Sequence, residues 1–320
     1  INVNEHTKFI HQILEIKNIL LYNNIQITKE MDLQINEMTS VLKNLFHLDL
    51  TLALFNGTNN TKKEYAYQIA NLQKDIKTKN LYKIDDGIVG LNTGKTKIFF
   101  DITKPNSKLL NKKLHSGTLS FEMSHGGEKI ITNCGSTDRY LEKNQIFFRY
   151  SAAHSTLTIN NTNISELSEK NSYKRIPSNI KYSSEELEDY YRISGSHDGY
   201  SKNYNAIVKR ILNIHKNGEI IMGSDHIFSL KNNLKVHNFE IRFHLMPHCN
   251  SIITNNDKKI IIKTKNNLAW YFESINSKVS IEDSIYMGDE NSPLKTIQIV
   301  LTGKTEKIKN TINWKFEKVK

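Results

Sequence analysis

Phe239-Glu240-Ile241-Arg242-Phe243-His244-Leu245 alternates apolar and polar residues over its whole length, the period of a strand with one face in a core. The same period of two runs through Lys97-Ile98-Phe99-Phe100-Asp101-Ile102, Thr118-Leu119-Ser120-Phe121-Glu122-Met123, Leu157-Thr158-Ile159, Ala206 to Leu212 and Lys258 to Lys263. Asp86-Gly87, Gly126-Gly127, Asn217-Gly218 and Gly288-Asp289 separate these runs with turn chemistry. Such a series predicts roughly a dozen strands and few helices, hence a large antiparallel β-sandwich. The polar stretch Asn160 to Glu188 reads as a long loop leaving the sandwich.

Upstream of Asn80 the period is helical. Phe9, Ile10, Ile13, Leu14, Ile16, Leu20 and Leu21 mark one amphipathic helix, and Met31, Ile35, Met38, Val41, Leu42 and Leu45 mark a second with Thr28 as N-cap. A third is expected over Lys63 to Gln73, after the Asn56-Gly57-Thr58-Asn59-Asn60 turn. The fold class is therefore α+β, with a short helical segment over residues 1–79 followed by the β-sandwich over 80–320.

The 320 residues are 38% hydrophobic and 24% charged, with 4 Pro and 14 Gly, which excludes collagen-like and low-complexity disordered classes. No apolar run reaches the roughly 18 residues that cross a bilayer, which excludes a membrane-spanning function for these residues. A net charge of +11 suits a polyanionic partner, nucleic acid or an acidic polysaccharide. The alternative is coding bias, since six of the 44 basic residues are Arg and the chain is rich in Asn, Ile and Lys. Cys134 and Cys249 lie far apart without C-x-x-C spacing. The chain opens on Ile1 with no Met and no apolar leader, so the natural N-terminus is expected further upstream.

The chemistry-bearing residues lie on the strands. A period of two places His115 on the face of Leu119, Phe121 and Met123, turned inward. A lone inward histidine is more often a hydrogen-bonded core residue than a ligand. Three neighbouring strands would bring His115, Asn133 and His154 together. His197 lies in an apparent turn, His197-Asp198-Gly199, where Asp198 capping local backbone is the simpler reading. His244 and His248 flank Pro247 near a strand end. The sequons at Asn56, Asn59, Asn160 and Asn163 are expected by chance in so Asn-rich a chain.

His115 to Met123, Asn133-Cys134-Gly135, Ala152-Ala153-His154-Ser155-Thr156-Leu157, His197-Asp198-Gly199-Tyr200, Arg242-Phe243-His244-Leu245, Glu282 to Tyr286 and Gln298-Ile299-Val300-Leu301 occur in an order that resembles the C-terminal β-domain of heparinase II/III-like proteins. Leu52-Ala53-Leu54-Phe55-Asn56-Gly57 resembles the segment where that family's helical toroid ends, so residues 1–79 would be the remainder of an α/α toroid. The resemblance implies a polysaccharide lyase. Such an enzyme removes the C5 proton of a uronate and expels the 4-linked sugar, with His and Tyr as base and acid and a metal, usually zinc, in the β-domain. It implies His115 and His154 as catalytic residues, His115, Asn133 and His154 as zinc ligands, and Lys113, His197 and His244 as substrate-binding residues. The partner would be an acidic polysaccharide rather than nucleic acid, and the compartment the periplasm or cell envelope. The chain departs from the family at the first strand, where a pattern like His-x-His-x-Asp reads Lys113-Leu114-His115-Ser116-Gly117, and at Asn133, which replaces a ligand carboxylate. At the toroid's catalytic helix start, near Asn4 to Lys8, there is His6 but no Tyr. A non-catalytic carbohydrate-binding or structural relative is the alternative these departures support.

Overall fold

The computed structural model describes residues 3–60, 65–67, 69, 79–84, 87–105, 114–136, 142–168, 172–232, 235–254, 259–275, 277–289 and 293–319. Lys113, most of the expected third helix and Asp86 lie outside them; Tyr65 to Tyr67 and Ile69 are helical. Helix α1 (Val3–Tyr22) and helix α2 (Lys29–Lys43) pack side by side, and the Thr28 hydroxyl caps α2 by accepting from Met31 N–H at 3.2 Å. No helix among the described residues is long and apolar enough to cross a membrane.

The first of nineteen strands among the described residues begins at Leu81. One sheet runs β1 (Leu81–Ile84), β2 (Ile88–Thr93), β3 (Thr96–Asp101), β4 (Phe121–His125), β5 (Glu128–Thr132), β13 (Asn238–Leu245), β18 (Leu294–Lys304) and β17 (Lys278–Tyr286), with β6 (Leu157–Ile159) also pairing to β13. The second runs β14 (Asn250–Ile253), β15 (Lys259–Lys263), β16 (Ala269–Ser274), β19 (Lys309–Lys318), β12 (Ile220–Ser229), β11 (Ala206–His215), β10 (Tyr190–Tyr200) and β9 (Ile180–Glu186). Their paired strands are antiparallel. Phe121, Phe243, Phe272, Trp314 and Phe316 form an aromatic centre between the sheets.

A second apolar cluster joins the helices to the outer face of the first sheet through Ile10, Ile35, Leu42, Phe46, Phe55, Ile88 and Phe99. This explains why β3, β4 and β5 are buried on both faces, while β11 alternates buried and half-buried residues at every step. Gly126 and Gly127, with φ of 59° and 86°, make the left-handed turn between β4 and β5.

Two expectations are corrected. The Asn160 to Glu188 stretch contains β7 (Glu166–Leu167) paired with β8 (Tyr173–Arg175), and β9, an edge strand of the second sheet. An edge strand buries little of its surface, so its apolar signal is faint. His115 is buried as expected but lies in a loop before β4, because Leu119 has φ 66° and breaks the strand period that would have carried it.

Candidate functional site

His115 stands on the loop entering β4, where its N–H donates to Asn56 Oδ1 at 3.2 Å. Asn56 thus links the end of the helical segment to the histidine, and its burial, like that of Asn59, removes both sequons from the surface. His154 ends the short 3-10 helix Ser151–Ala153. His115 Nδ1 and His154 Nε2 are 3.2 Å apart, with the rings edge to face at 82°. His154 Nδ1 lies 2.8 Å from the Tyr150 carbonyl, which can only accept. That nitrogen therefore carries the proton, Nε2 accepts from His115 Nδ1–H, and His115 Nε2 keeps its lone pair. Burial pushes the His154 imidazole down to about 4, and holds His115 well below the usual histidine range with help from its His154 and Arg149 neighbours. Both rings are neutral at pH 7. Gly117 makes the contact possible, since a Cβ there would lie 2.5 Å from His154 Cδ2.

Asn133 follows β5. Its Oδ1 accepts from Ser155 N–H at 2.9 Å, and its Nδ2 faces Glu122 Oε1 at 3.3 Å. Glu122, missed in the sequence, is the centre of a buried cluster. Its Oε2 pairs with Lys129 Nζ at 2.7 Å and accepts from His47 Nε2 at 3.0 Å and Leu54 N–H at 3.1 Å, while Oε1 accepts from Asn133 N–H at 2.9 Å. Burial alone would push the Glu122 carboxyl up; Lys129 and the His47 hydrogen bond override that and hold it at about 2.

The spacing of the two ring nitrogens matches that of two ligands on one tetrahedral zinc, roughly 3.3 Å. The rest of the expected ligand set does not fit. Asn133 spends its oxygen on Ser155 and turns its amide toward a carboxylate, and among the described residues no group of three or more His, Cys, Asp or Glu side chains is arranged to hold a metal. Protein purified without chelator is therefore expected to hold negligible zinc by elemental analysis, as should a His115→Ala variant. Stoichiometric zinc lost in that variant would contradict this and restore the histidine pair as a metal site.

His244, on β13, donates from Nε2 to the Ala152 carbonyl at 3.0 Å and accepts at Nδ1 from the Ser284 hydroxyl at 2.8 Å. Burial, with the His154 and Arg242 neighbours, pushes it down to about 3. It lines an open cavity of about 610 Å³ together with Phe147, Tyr150, Asp283, Ile285 and Gln298. Cys134 lines the same cavity, but burial pushes its thiol up to about 12, so it is not a nucleophile. His197 is not brought to this group. It sits on β10 in the second sheet rather than in a turn, accepts from Gly199 N–H at 3.2 Å and leans on Tyr200. The expectation that Asp198 caps local backbone is corrected: its carboxylate accepts from Ser178 N–H and Asn179 N–H, at the start of the neighbouring β9 segment. Lys113 lies outside the described residues.

A two-sheet antiparallel β-domain, closed on one face by helices and holding buried histidines on loops of that sheet, defines the class. Residues 84–315 match the family described as Heparinase II/III-like, C-terminal, and the chain belongs to that family. Among solved structures, the heparan sulfate lyase HepC from Pedobacter heparinus superposes with a TM-score of 0.75 at 15% identity, over 99% of this chain and 52% of that one. A heparinase III gene product gives 0.79 at 12% identity, over 100% and 52%, and a further heparinase III gives 0.76 at 13%, over 99% and 53%. The chain spans about half the length of these solved relatives, and at such identities the likeness shows the fold. Comparison with curated protein sequences gave no match.

Proposed function

We propose that this chain is the β-domain side of a polysaccharide lyase-like protein acting by β-elimination on a uronate-containing acidic polysaccharide. The observation that carries the reading is the buried, neutral His115–His154 pair, in which His115 Nε2 carries a lone pair that no hydrogen bond among the described residues engages. Elimination needs a base for the uronate C5 proton, stabilisation of the carboxylate as charge builds, and an acid for the leaving oxygen. A neutral imidazole is the form that accepts a proton. Docking of a uronate carboxylate beside it would raise its depressed pKa toward neutrality and strengthen it as a base. The cavity beside His244 has aromatic walls and a few polar groups, and its volume suits a sugar ring. The net charge of +11 favours a polyanion.

Phe9, Ile16, Ile19, Leu21 and Leu33 expose an apolar stripe on α1 and α2. This supports residues 1–79 as the tail of an α/α toroid whose other helices would supply the remaining acid-base groups. The second reading, a non-catalytic carbohydrate-binding relative, is favoured by Gly117, where an acidic side chain would collide with the His154 ring.

The test is ultraviolet absorbance of unsaturated uronate product over a panel of acidic polysaccharides, with equilibrium binding measured in parallel. Residues 1–320 alone are expected to turn over at least about 100-fold more slowly than a longer natural chain containing them, because losing a single charge-stabilising group already costs that much. Full turnover by residues 1–320 would mean that the catalytic groups are misplaced. Binding without product from the longer chain would select the second reading.

A further inference from the structure

We infer that Arg210, on the sheet opposite the histidines, is a positioning residue that fixes the loops bearing His115 and His154 relative to one another. Arg210 lies on β11 and is fully buried. On its own sheet the guanidinium is held by a bidentate pair, Nε to Asp225 Oδ1 at 2.7 Å and Nη2 to Asp225 Oδ2 at 3.0 Å, and Trp314 Nε1 donates to the same Oδ2 at 2.8 Å. Its remaining hydrogen bonds cross to the other sheet. Nη1 donates to the Leu119 carbonyl at 3.0 Å and to the Ser155 carbonyl at 2.7 Å. Leu119 ends the loop that starts at His115, and Ser155 directly follows His154. One planar, rigidly oriented group therefore holds the backbone of both histidine loops, which the point charge of a lysine could not do.

The loop needs such a hold. Leu119 sits in the left-handed region at φ 66°, which non-glycine residues keep only where their surroundings impose it. Its side chain rests in a notch left by Gly195 on β10, where a Cβ would lie 2.5 Å from Leu119 Cδ2. Within the same loop Gly117 lies against the His154 ring, so a slip at Leu119 is transmitted to the ring that accepts the His115 hydrogen bond. A buried ion pair is often replaceable by apolar residues at no cost in stability. Its four hydrogen bonds, two of them to the loop carbonyls, give Arg210 a task that an apolar residue could not perform.

This inference takes from the proposed function the importance of the histidine pair, but its test needs no substrate. The readout is nitrogen-15 NMR of the imidazoles at pH 7. In the unaltered protein His115 and His154 are both protonated at Nδ1, and the His115 Nδ1 proton is protected by its bond to His154 Nε2. Arg210→Lys, and the paired Arg210→Met with Asp225→Leu, are expected to unfold cooperatively while that proton exchanges roughly tenfold faster or more, as for a lost hydrogen bond. His115 should then populate both tautomers. Val208→Ala, on the same strand and equally buried, should lower stability and leave the signature unchanged. A folded Arg210→Lys protein with the His115 signature intact would overturn the inference. So would failure of both Arg210 variants to fold, since Arg210 would then be a strut of the core. Absence of lyase activity with loss of the signature would sink the function and leave the positioning role standing.

Discussion

Lowering the pH from 7 to 4 is expected to unfold this protein. Five of the buried histidines are held strongly in neutral form: His47 and His154 are pushed down to about 4, His197 and His244 to about 3, and His115 well below its usual range, in each case chiefly by burial. In the unfolded chain the same groups titrate near 6.5. Between pH 6.5 and 4 the unfolded state therefore binds more protons than the folded one, and stability that is complete above 6.5 is lost as pH falls. A histidine held at about 4 accounts for roughly 3 kcal/mol of that loss, so two or three of them rival the total stability of an ordinary domain, about 5–15 kcal/mol. Asp101 works the other way. Burial pushes its carboxyl up to about 7, so its neutral form is favoured in the fold and it offsets part of the loss. Glu122, held at about 2, adds a further loss below pH 4.5. Urea midpoints measured from pH 7 to 4 should fall steeply below pH 6. A midpoint constant to pH 4.5 would show that these rings are not buried and neutral.

Lys129→Met should be the most damaging single substitution at the junction of helices and sheet. Lys129 is fully buried and pairs with Glu122 Oε2 while donating to the Leu52 carbonyl at 3.1 Å. Removing the cation leaves a carboxylate in the interior, a loss of about 3–5 kcal/mol. The same carboxylate holds His47 and Leu54 of the helical segment, so the damage should reach that segment. Adding Glu122→Gln, which keeps an acceptor and removes the charge, should recover part of the loss. Denaturant midpoints and limited proteolysis between residues 44 and 60 report both effects. Equal stability of Lys129→Met and the unaltered protein would mean that the pair is open to water.

The strand character of β11 and β13 was legible because each has one face in the core, and their alternation survives at almost every residue. Helix α2 was legible through its apolar spacing and its Thr28 cap. The edge strand β9 was not, because half-exposed Ile180, Tyr182 and Ser184 do not stand out from a polar background. At the site, the order of short motifs was enough to single out His115, His154 and His244, whose imidazoles lie on loops and a strand of the same sheet. Glu122 with Lys129, and Arg210 with Asp225, left no mark as pairs. Seven residues separate the first two and fifteen the second, and a charge inside an apolar run reads equally well as a residue facing solvent. Asp198 misled in the other direction. Asp-Gly chemistry pointed to a local backbone cap, whereas the residue lies within β10 and its carboxylate accepts from Ser178 and Asn179 across to the neighbouring segment, a pairing that spacing alone does not reveal.

The most direct test of the lyase reading is the effect of His154→Ala on unsaturated-uronate formation by the longest natural chain that contains these residues. Binding of the same acidic polysaccharide should be followed in the same samples. Loss of product in the variant, with binding retained within a few-fold, is the result predicted for a group that acts on the reacting uronate. Product formed at the same rate by the variant and the unaltered protein would contradict the account and leave the histidine pair as a feature of the core.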